Sequence, residues 1–285
     1  MNGHMTRRDW LKIGTAATAG LLARPAAAAP ALKFSTATIM YQECPLEEAL
    51  EEIAKTGCEG VDLWEGGTPH NHMQWVEKFR PQYLRAQIES LGLKLFSFSI
   101  YWSPADKLTE RLEWLAEAGG EVAVVGGGAA AGQPVEAGVQ QIMPLVEKAR
   151  ELGIKIAGEN HGGSSLSTIA SMREFVKLAE PENLGIALAP YHVMAGGESV
   201  AEAVEAVGSK LFFFYAWQLA EGMAELPGDG TLDFGPVIGA LRRVGYSSYL
   251  NIFTHTHVPK DQMTAAVIAS RKYLEGLAAG GGAPQ

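Results

Sequence analysis

Eight short, β-rich apolar runs alternate along this chain with longer stretches of helical periodicity, and that alternation constrains the fold more than any other feature. The runs are LKFSTATIMY (32–41), GVDLWEG (60–66), KLFSFSIYW (94–102), EVAVVGG (121–127), IKIAGEN (154–160), LGIALAP (184–190), KLFFFYAWQ (210–218) and YLNIFTH (249–255). Between them lie helical patterns such as LTERLEWLAEAGG, VEAGVQQIMPLVEKARELG, TIASMREFVKLAE and DFGPVIGALRRVG, several of which close on glycine, as a helix C-terminus should. Parallel strands need a crossover of a dozen or more residues, usually a helix, and eight strand-helix units suffice to close a parallel sheet on itself. The expected fold is therefore α/β, a single (β/α)8 TIM barrel. An open doubly wound sheet is the alternative, but no G-x-G-x-x-G follows the first strand. The glycine clusters at 119–132 and 162–163 lack a P-loop lysine and are expected to be flexible βα turns.

Residues 1–29 stand apart from this pattern and are expected to be an export signal. Arg7 and Arg8 occur in TRRDWLK, a mildly apolar IGTAATAGLLA follows, and RPAAAAPA offers small-residue cleavage sites. Such a twin arginine directs folded proteins out of the bacterial cytoplasm, which makes the expected location periplasmic or secreted. The apolar segment is too alanine-rich for a membrane span, so no membrane association is expected once the signal is removed. A barrel domain over 30–275 and a disordered tail, GLAAGGGAPQ (276–285), account for the rest. The signal carries four basic residues and one acidic one, so its loss takes the formal net charge from −9 to −12. An acidic body of this kind argues against nucleic acid as the partner. Cys44 and Cys58 flank PLEEALEEIAKTG, whose helix would hold them roughly 20 Å apart, and two free thiols are expected.

A barrel places its site at the C-terminal ends of its strands. The polar residues sort accordingly. Of seven histidines, His4 lies in the signal; His70 and His72 follow the second run, His161 the fifth, His192 the sixth, and His255 and His257 end the eighth. None is expected on a helix, and together they suggest one imidazole-lined pocket. Glu43, Trp64, Glu65, Trp102, Asn160, Tyr191, Trp217 and Gln218 share those ends. Aromatic faces interspersed with amides and carboxylates suit a small-molecule carbohydrate, although Trp64 could equally pack within the barrel. Glu159 is the strongest single candidate, because an acid ending IKIAGEN at the barrel mouth requires a metal, a donor or a raised pKa.

IKIAGENHG, LGIALAPYH and GDGTLDFGPVIGALRRVGYSSYLNI together resemble the xylose-isomerase-like barrel family of sugar isomerases and epimerases. The resemblance rests on Glu159, Asn160 and His161, on Pro190 and His192, and on Gly228, Gly230, Asp233 and Phe234. It implies a divalent metal held by Glu, Asp, His and Glu from strands 5 to 8; the matching positions here are Glu159, Ala189, Tyr215 and Phe253. The resemblance also implies that His192 contacts substrate, that Tyr215 lies in the site, and that the chain pairs into a homo-oligomer.

Two readings follow. A rebuilt site would use Glu159, His192 and His255, helped by His161 or His257, to hold Zn²⁺, Mn²⁺ or Mg²⁺, with Glu159 or His255 as the base in an isomerisation, an epimerisation or the eliminative cleavage of a 3-keto-glycoside. Alternatively, the barrel binds a sugar without turning it over. The DNA-repair branch of the superfamily requires more metal ligands and a basic face, which this chain lacks.

Overall fold

All eight runs form strands: β1 (Lys33–Ala37), β2 (Gly60–Trp64), β3 (Lys94–Ser99), β4 (Val122–Gly126), β5 (Lys155–Glu159), β6 (Leu184–Leu188), β7 (Leu211–Ala216) and β8 (Tyr249–Ile252). They close into a barrel in sequence order, every neighbouring pair parallel, and the ring shuts where residues 33–36 lie opposite residues 249–252. The structure is a computed structural model and describes residues 32–280 apart from 77, 102 and 104. The expected export signal lies outside the described residues. The helices are α1 (Leu46–Lys55), α2 (Met73–Val76), α3 (Pro81–Ser90), α4 (Ala105–Glu117), α5 (Val135–Glu151), α6 (Ile169–Leu178), α7 (Pro190–Ala195), α8 (Val200–Val207), α9 (Phe234–Arg243) and α10 (Lys260–Ala278). Among the described residues no helix is long and apolar enough to cross a membrane.

Local chemistry sets the element ends. The α6 helix opens with a reciprocal cap, in which Thr168 Oγ1 accepts from the Ser171 N–H at 3.1 Å and Ser171 Oγ accepts from the Thr168 N–H at 2.9 Å. Gly153 and Gly245 stop α5 and α9 at φ 72°, where a side chain would be strained. The residues after them close the helices: Ile154 N–H donates to Ala149 O at 2.8 Å, and Tyr246 N–H to Leu241 O at 2.9 Å. The helix α10 continues to Ala278, into the segment expected to be a disordered tail, because Leu274 and Leu277 keep their helical spacing against the core. Cys44 and Cys58 are buried and unpaired, with α1 between them.

The glycine-rich loops after β4 and β5 are not the free turns their composition suggested. Ala130 bridges Ser164, and the Ala131 N–H donates to Gly163 O at 3.1 Å. A Cβ on Gly127 would come within 2.6 Å of the Gly158 backbone, so glycine serves close approach there.

Inside the barrel, strand alternation sorts side chains into layers. At the base Phe96 packs on Phe213 and Tyr249, with ring centroids 5.7 and 4.6 Å away. A polar layer follows where such barrels are usually filled by branched apolar residues. There Asp62 accepts from Ser97 Oγ and Ser99 Oγ, both at 2.8 Å, and Asn251 Nδ2 donates to Ser35 Oγ at 3.0 Å. Two residues further along their strands, Trp64, Tyr215 and Phe253 form an aromatic layer, with Trp64 stacked on Phe253 at 4.8 Å and 16°. One more step brings Trp217 and His255 to the mouth.

Candidate active site

At that mouth lies a cavity of about 420 Å³, lined by Trp64, Tyr101, Glu159, His161, Tyr191, His192, Trp217, Glu225 and His255. Its size falls within the range of small-molecule sites, and its walls mix aromatic rings with a few polar groups, as such sites do.

Glu159 ends β5 and is only 7 % exposed. Burial pushes its carboxyl up to about 7 against the opposing effect of a hydrogen bond from the Tyr101 hydroxyl, while the negative charge of Asp62 adds to the rise.

Three of the six histidines outside the signal line the cavity. His192 lies on α7, contrary to the expectation that none would be helical, because Pro190 starts a helix directly after β6. Its ring sits 4.1 Å from that of His161. Burial, helped by His161 and His255, holds His192 down to about 4, so at neutral pH it is an uncharged imidazole with one donor and one acceptor. Burial likewise lowers His255, against the pull of Glu225. The other three do not join them: His72 is buried with Nε2 2.8 Å from Cys44 O, His257 lines a separate cavity with Gln42 and Glu43, and His70 lines neither cavity.

The aromatic side of the mouth centres on Trp217, which stacks on Tyr191 at 4.3 Å and 9° and has His255 at its edge, 5.0 Å away. Glu225 braces it. A single carboxylate oxygen, Oε2, accepts from Trp217 Nε1 at 3.0 Å, Thr254 Oγ1 at 2.6 Å and the His255 N–H at 2.8 Å. Trp64, 3 % exposed, carries a buried Nε1 without a hydrogen-bond partner among the described residues.

Several residues expected to contact substrate have other work. Asn160 is fully buried; its Oδ1 accepts from the Ala189 N–H at 2.7 Å and its Nδ2 donates to Ala189 O at 3.3 Å. Gln218 likewise ties down the following loop, donating to Leu226 O at 2.8 Å and accepting from the Leu232 N–H at 2.7 Å. Both amides are consumed by backbone. Glu65 lies off the cavity and accepts from Ser103 Oγ at 2.6 Å, and Tyr215 lies below the cavity in the aromatic layer. Trp102 lies outside the described residues. Missing from the expected set were Tyr101, Glu225 and the buried Asp62.

Among the described residues, no group of three or more His, Cys, Asp or Glu side chains is arranged to hold a metal ion. Glu159, His161, His192 and His255, the residues expected to rebuild a metal site, share the cavity, but no three of them are grouped to hold an ion. The remaining positions suggested by the resemblance hold Ala189, Tyr215 and Phe253, and the Phe253 ring is stacked on Trp64. A methyl, a phenol and a phenyl ring do not supply the donor set of a divalent cation. The residues present do not fit one.

A closed eight-stranded α/β barrel with an acid, imidazoles and aromatic rings at the C-terminal ends of its strands defines the class. Residues 50–275 match the xylose isomerase-like TIM barrel family, and the chain belongs to that family. An inosose dehydratase of Lacticaseibacillus casei is 20 % identical over 150 residues, 46 % of this chain and 50 % of that protein. The chain thus spans about half the length of the curated relatives it matches. The crystal structure of the IOLI protein with a bound zinc atom superposes with a TM-score of 0.70 at 16 % identity, covering 86 % of this chain and 98 % of that one. The 3-keto-D-glucoside 4-epimerase YcjR of E. coli gives 0.69 at 18 % identity, covering 85 % and 99 %. At these identities the likeness to solved structures establishes the fold.

Proposed function

We propose that this chain is an isomerase- or epimerase-type enzyme that moves a proton next to the carbonyl of a sugar or a related polyhydroxy ring, with Glu159 as the base. The observation that carries this reading is Glu159 itself: a buried carboxyl at a strand end, facing an aromatic-lined cavity and held near pH 7, where a general base is most effective. The apolar face of the substrate ring would lie against Trp217 and Tyr191. Hydroxyls would meet His161, His192 and Glu225. Names among the relatives and neighbours, an inosose dehydratase and a 3-keto-D-glucoside 4-epimerase, support a polyhydroxylated ketone as substrate.

In this mechanism ionised Glu159 takes the proton from the carbon beside the carbonyl. The C–H electron pair forms the enediolate double bond, and the charge develops on the former carbonyl oxygen. Neutral His192 and His255 offer N–H donors to that oxygen, and a neutral imidazole suits the task because it polarises the oxygen without handing over a full proton. Return of the proton from Glu159 to the former carbonyl carbon, while the neighbouring hydroxyl passes its proton to the former carbonyl oxygen and becomes the new carbonyl, completes an isomerisation. Alternatively the enediolate electrons re-form the carbonyl and break the bond to a β-hydroxyl or β-glycosidic oxygen, which leaves with the proton held by Glu159, completing a dehydration or the cleavage of a 3-keto-glycoside. No step is drawn through a metal, because the donor set does not fit one.

Exchange of substrate C–H for deuterium in D₂O, followed by NMR across aldoses, ketoses, inososes and 3-keto-glycosides, tests the proposal. Exchange should occur with the wild type and disappear in Glu159→Gln. The stacked Tyr191 and Trp217 rings could also serve recognition alone. Tight binding of a sugar with no exchange and no product would make the chain a sugar-binding relative without turnover. Export is a separate proposal resting on TRRDWLK: replacement of both Arg7 and Arg8 by Lys should retain the protein in the cytoplasm, and undiminished export would refute it.

A further inference from the structure

Glu225 meets the cavity with half of its carboxylate unspent. Its Oε2 is saturated by three donors, Trp217 Nε1, Thr254 Oγ1 and the His255 N–H. The other oxygen, Oε1, has no hydrogen-bond partner among the described residues and is not sealed from solvent. Because the saturated oxygen fixes the carboxylate, the free one is an acceptor held in a set position on the cavity wall. The indole bonded to Oε2 is also the ring stacked on Tyr191, so an acceptor and an apolar stacking surface are joined in one unit.

The rest of the lining decides what that oxygen can receive. No lysine or arginine lines the cavity. Of the imidazoles, His192 and His255 are held uncharged by burial, and His161 spends Nδ1 on Gly162 O at 2.6 Å. A phosphate or carboxylate on a ligand can only accept hydrogen bonds, as Oε1 does, so the two would meet as like charges with no cation between them. A hydroxyl brings the missing hydrogen. Hydrogen bonds to a charged acceptor are about twice as strong as those between neutral groups.

We propose that Glu225 is a specificity-determining residue: its Oε1 takes the hydrogen of a substrate hydroxyl and its charge turns away phosphorylated and carboxylated sugars, so the substrate class is a polyhydroxylated ketone without an acidic group. The assignment rests on the cavity being the substrate site proposed above, but not on the proton transfer assigned to Glu159. Glu225 holds and selects the ligand and breaks no bond. Glu225→Gln separates this role from the bracing of the wall. The glutamine carbonyl can still accept from all three donors, while its NH₂ replaces Oε1 and turns the free position from an acceptor into a donor.

Titration calorimetry at about pH 8, where an ordinary histidine is uncharged, compares neutral ketoses, inososes and 3-keto-glycosides with the phosphorylated or carboxylated counterpart of each. With the wild type, the best neutral ligand should bind at least about 10-fold more tightly than its anionic counterpart. Equal or tighter binding of the anion, or no binding by any neutral sugar, overturns the assignment without recourse to a variant. Glu225→Gln should weaken the neutral ligand about 10-fold and narrow the preference to about 3-fold or less, with a melting temperature close to that of the wild type. A variant that weakens both ligands equally, as loss of bracing alone would, or that keeps the full preference, also overturns it. If the preference holds while no substrate C–H exchanges in D₂O, the proposed reaction fails and the specificity stands. If exchange proceeds without the preference, only the role of Glu225 fails.

Discussion

The β5 and β6 side of the mouth carries Glu159, His161 and His192, whereas the side built from β2, β7 and β8 carries Trp64, Trp217 and Phe253, with His255 among the rings. The first side rises from strands and strand ends rich in small residues, Gly158, Gly185, Ala187 and Ala189. The second rises from large aromatic residues that fill the interior. The difference teaches that proton transfer and recognition are assigned to different parts of the chain, so single substitutions should separate kcat from KM.

The largest expected effect is on the acidic side. Glu159→Gln should lower kcat by about 10³-fold with little change in KM, and a comparable loss in both constants would break the division. On the aromatic side, Trp217→Ala should raise KM or the sugar Kd by about 10- to 100-fold through lost ring stacking, measured by titration calorimetry with substrate. A Trp217→Ala variant that binds normally but turns over slowly would reverse the roles of the two walls.

Smaller effects sharpen the contrast. His192→Ala removes one neutral hydrogen-bonding group and should weaken binding about 3- to 10-fold. Because His192 stays uncharged above about pH 4, that binding should be level from pH 5.5 to 8, and a titration near 6.5 would contradict its buried setting. The pH dependence of kcat should come instead from Glu159, rising with pH to a plateau above about 7. Stability should move the opposite way. Glu159 and Asp62 bind protons in the folded state that the unfolded chain has already released, so their contribution to the melting temperature should be full below about pH 4, fall as the pH rises to about 7 and level off above it. His192 contributes stability that is lost as pH drops from 6.5 toward about 4, which offsets part of that change. Glu159→Gln should flatten the decline. The smallest expected effect is that of a chelator: turnover and melting temperature should not change, and restoration of activity by Zn²⁺ or Mn²⁺ after chelation would show a cation site that the donor set does not suggest.

The barrel was legible because its strands are buried on both faces and its helices carry clear stops, so each run kept its length and order. Glu159 was legible for the same reason, as an acid at the end of an apolar strand. Other assignments failed where sequence cannot distinguish the partners of a polar group. Asn160 and Gln218 lie at strand ends as substrate amides would, yet both bond to backbone. Tyr101 had a usable signal: it continues the alternation of Ser97 and Ser99, which Trp102 does not. Asp62 had one too, as a charge two residues before Trp64 on an inward face. Glu225 had none, since it sits in the irregular AEGMAELPG segment after β7, and only the folded loop brings it under Trp217.

That placement also bears on how such a pocket can evolve. One oxygen of Glu225 serves a tryptophan side chain, a threonine side chain and the backbone of His255, so the effects of changes at 217, 225 and 254 will not add. A lineage acquiring a new substrate by reshaping this wall would have to substitute these positions together or pass through poorly assembled intermediates.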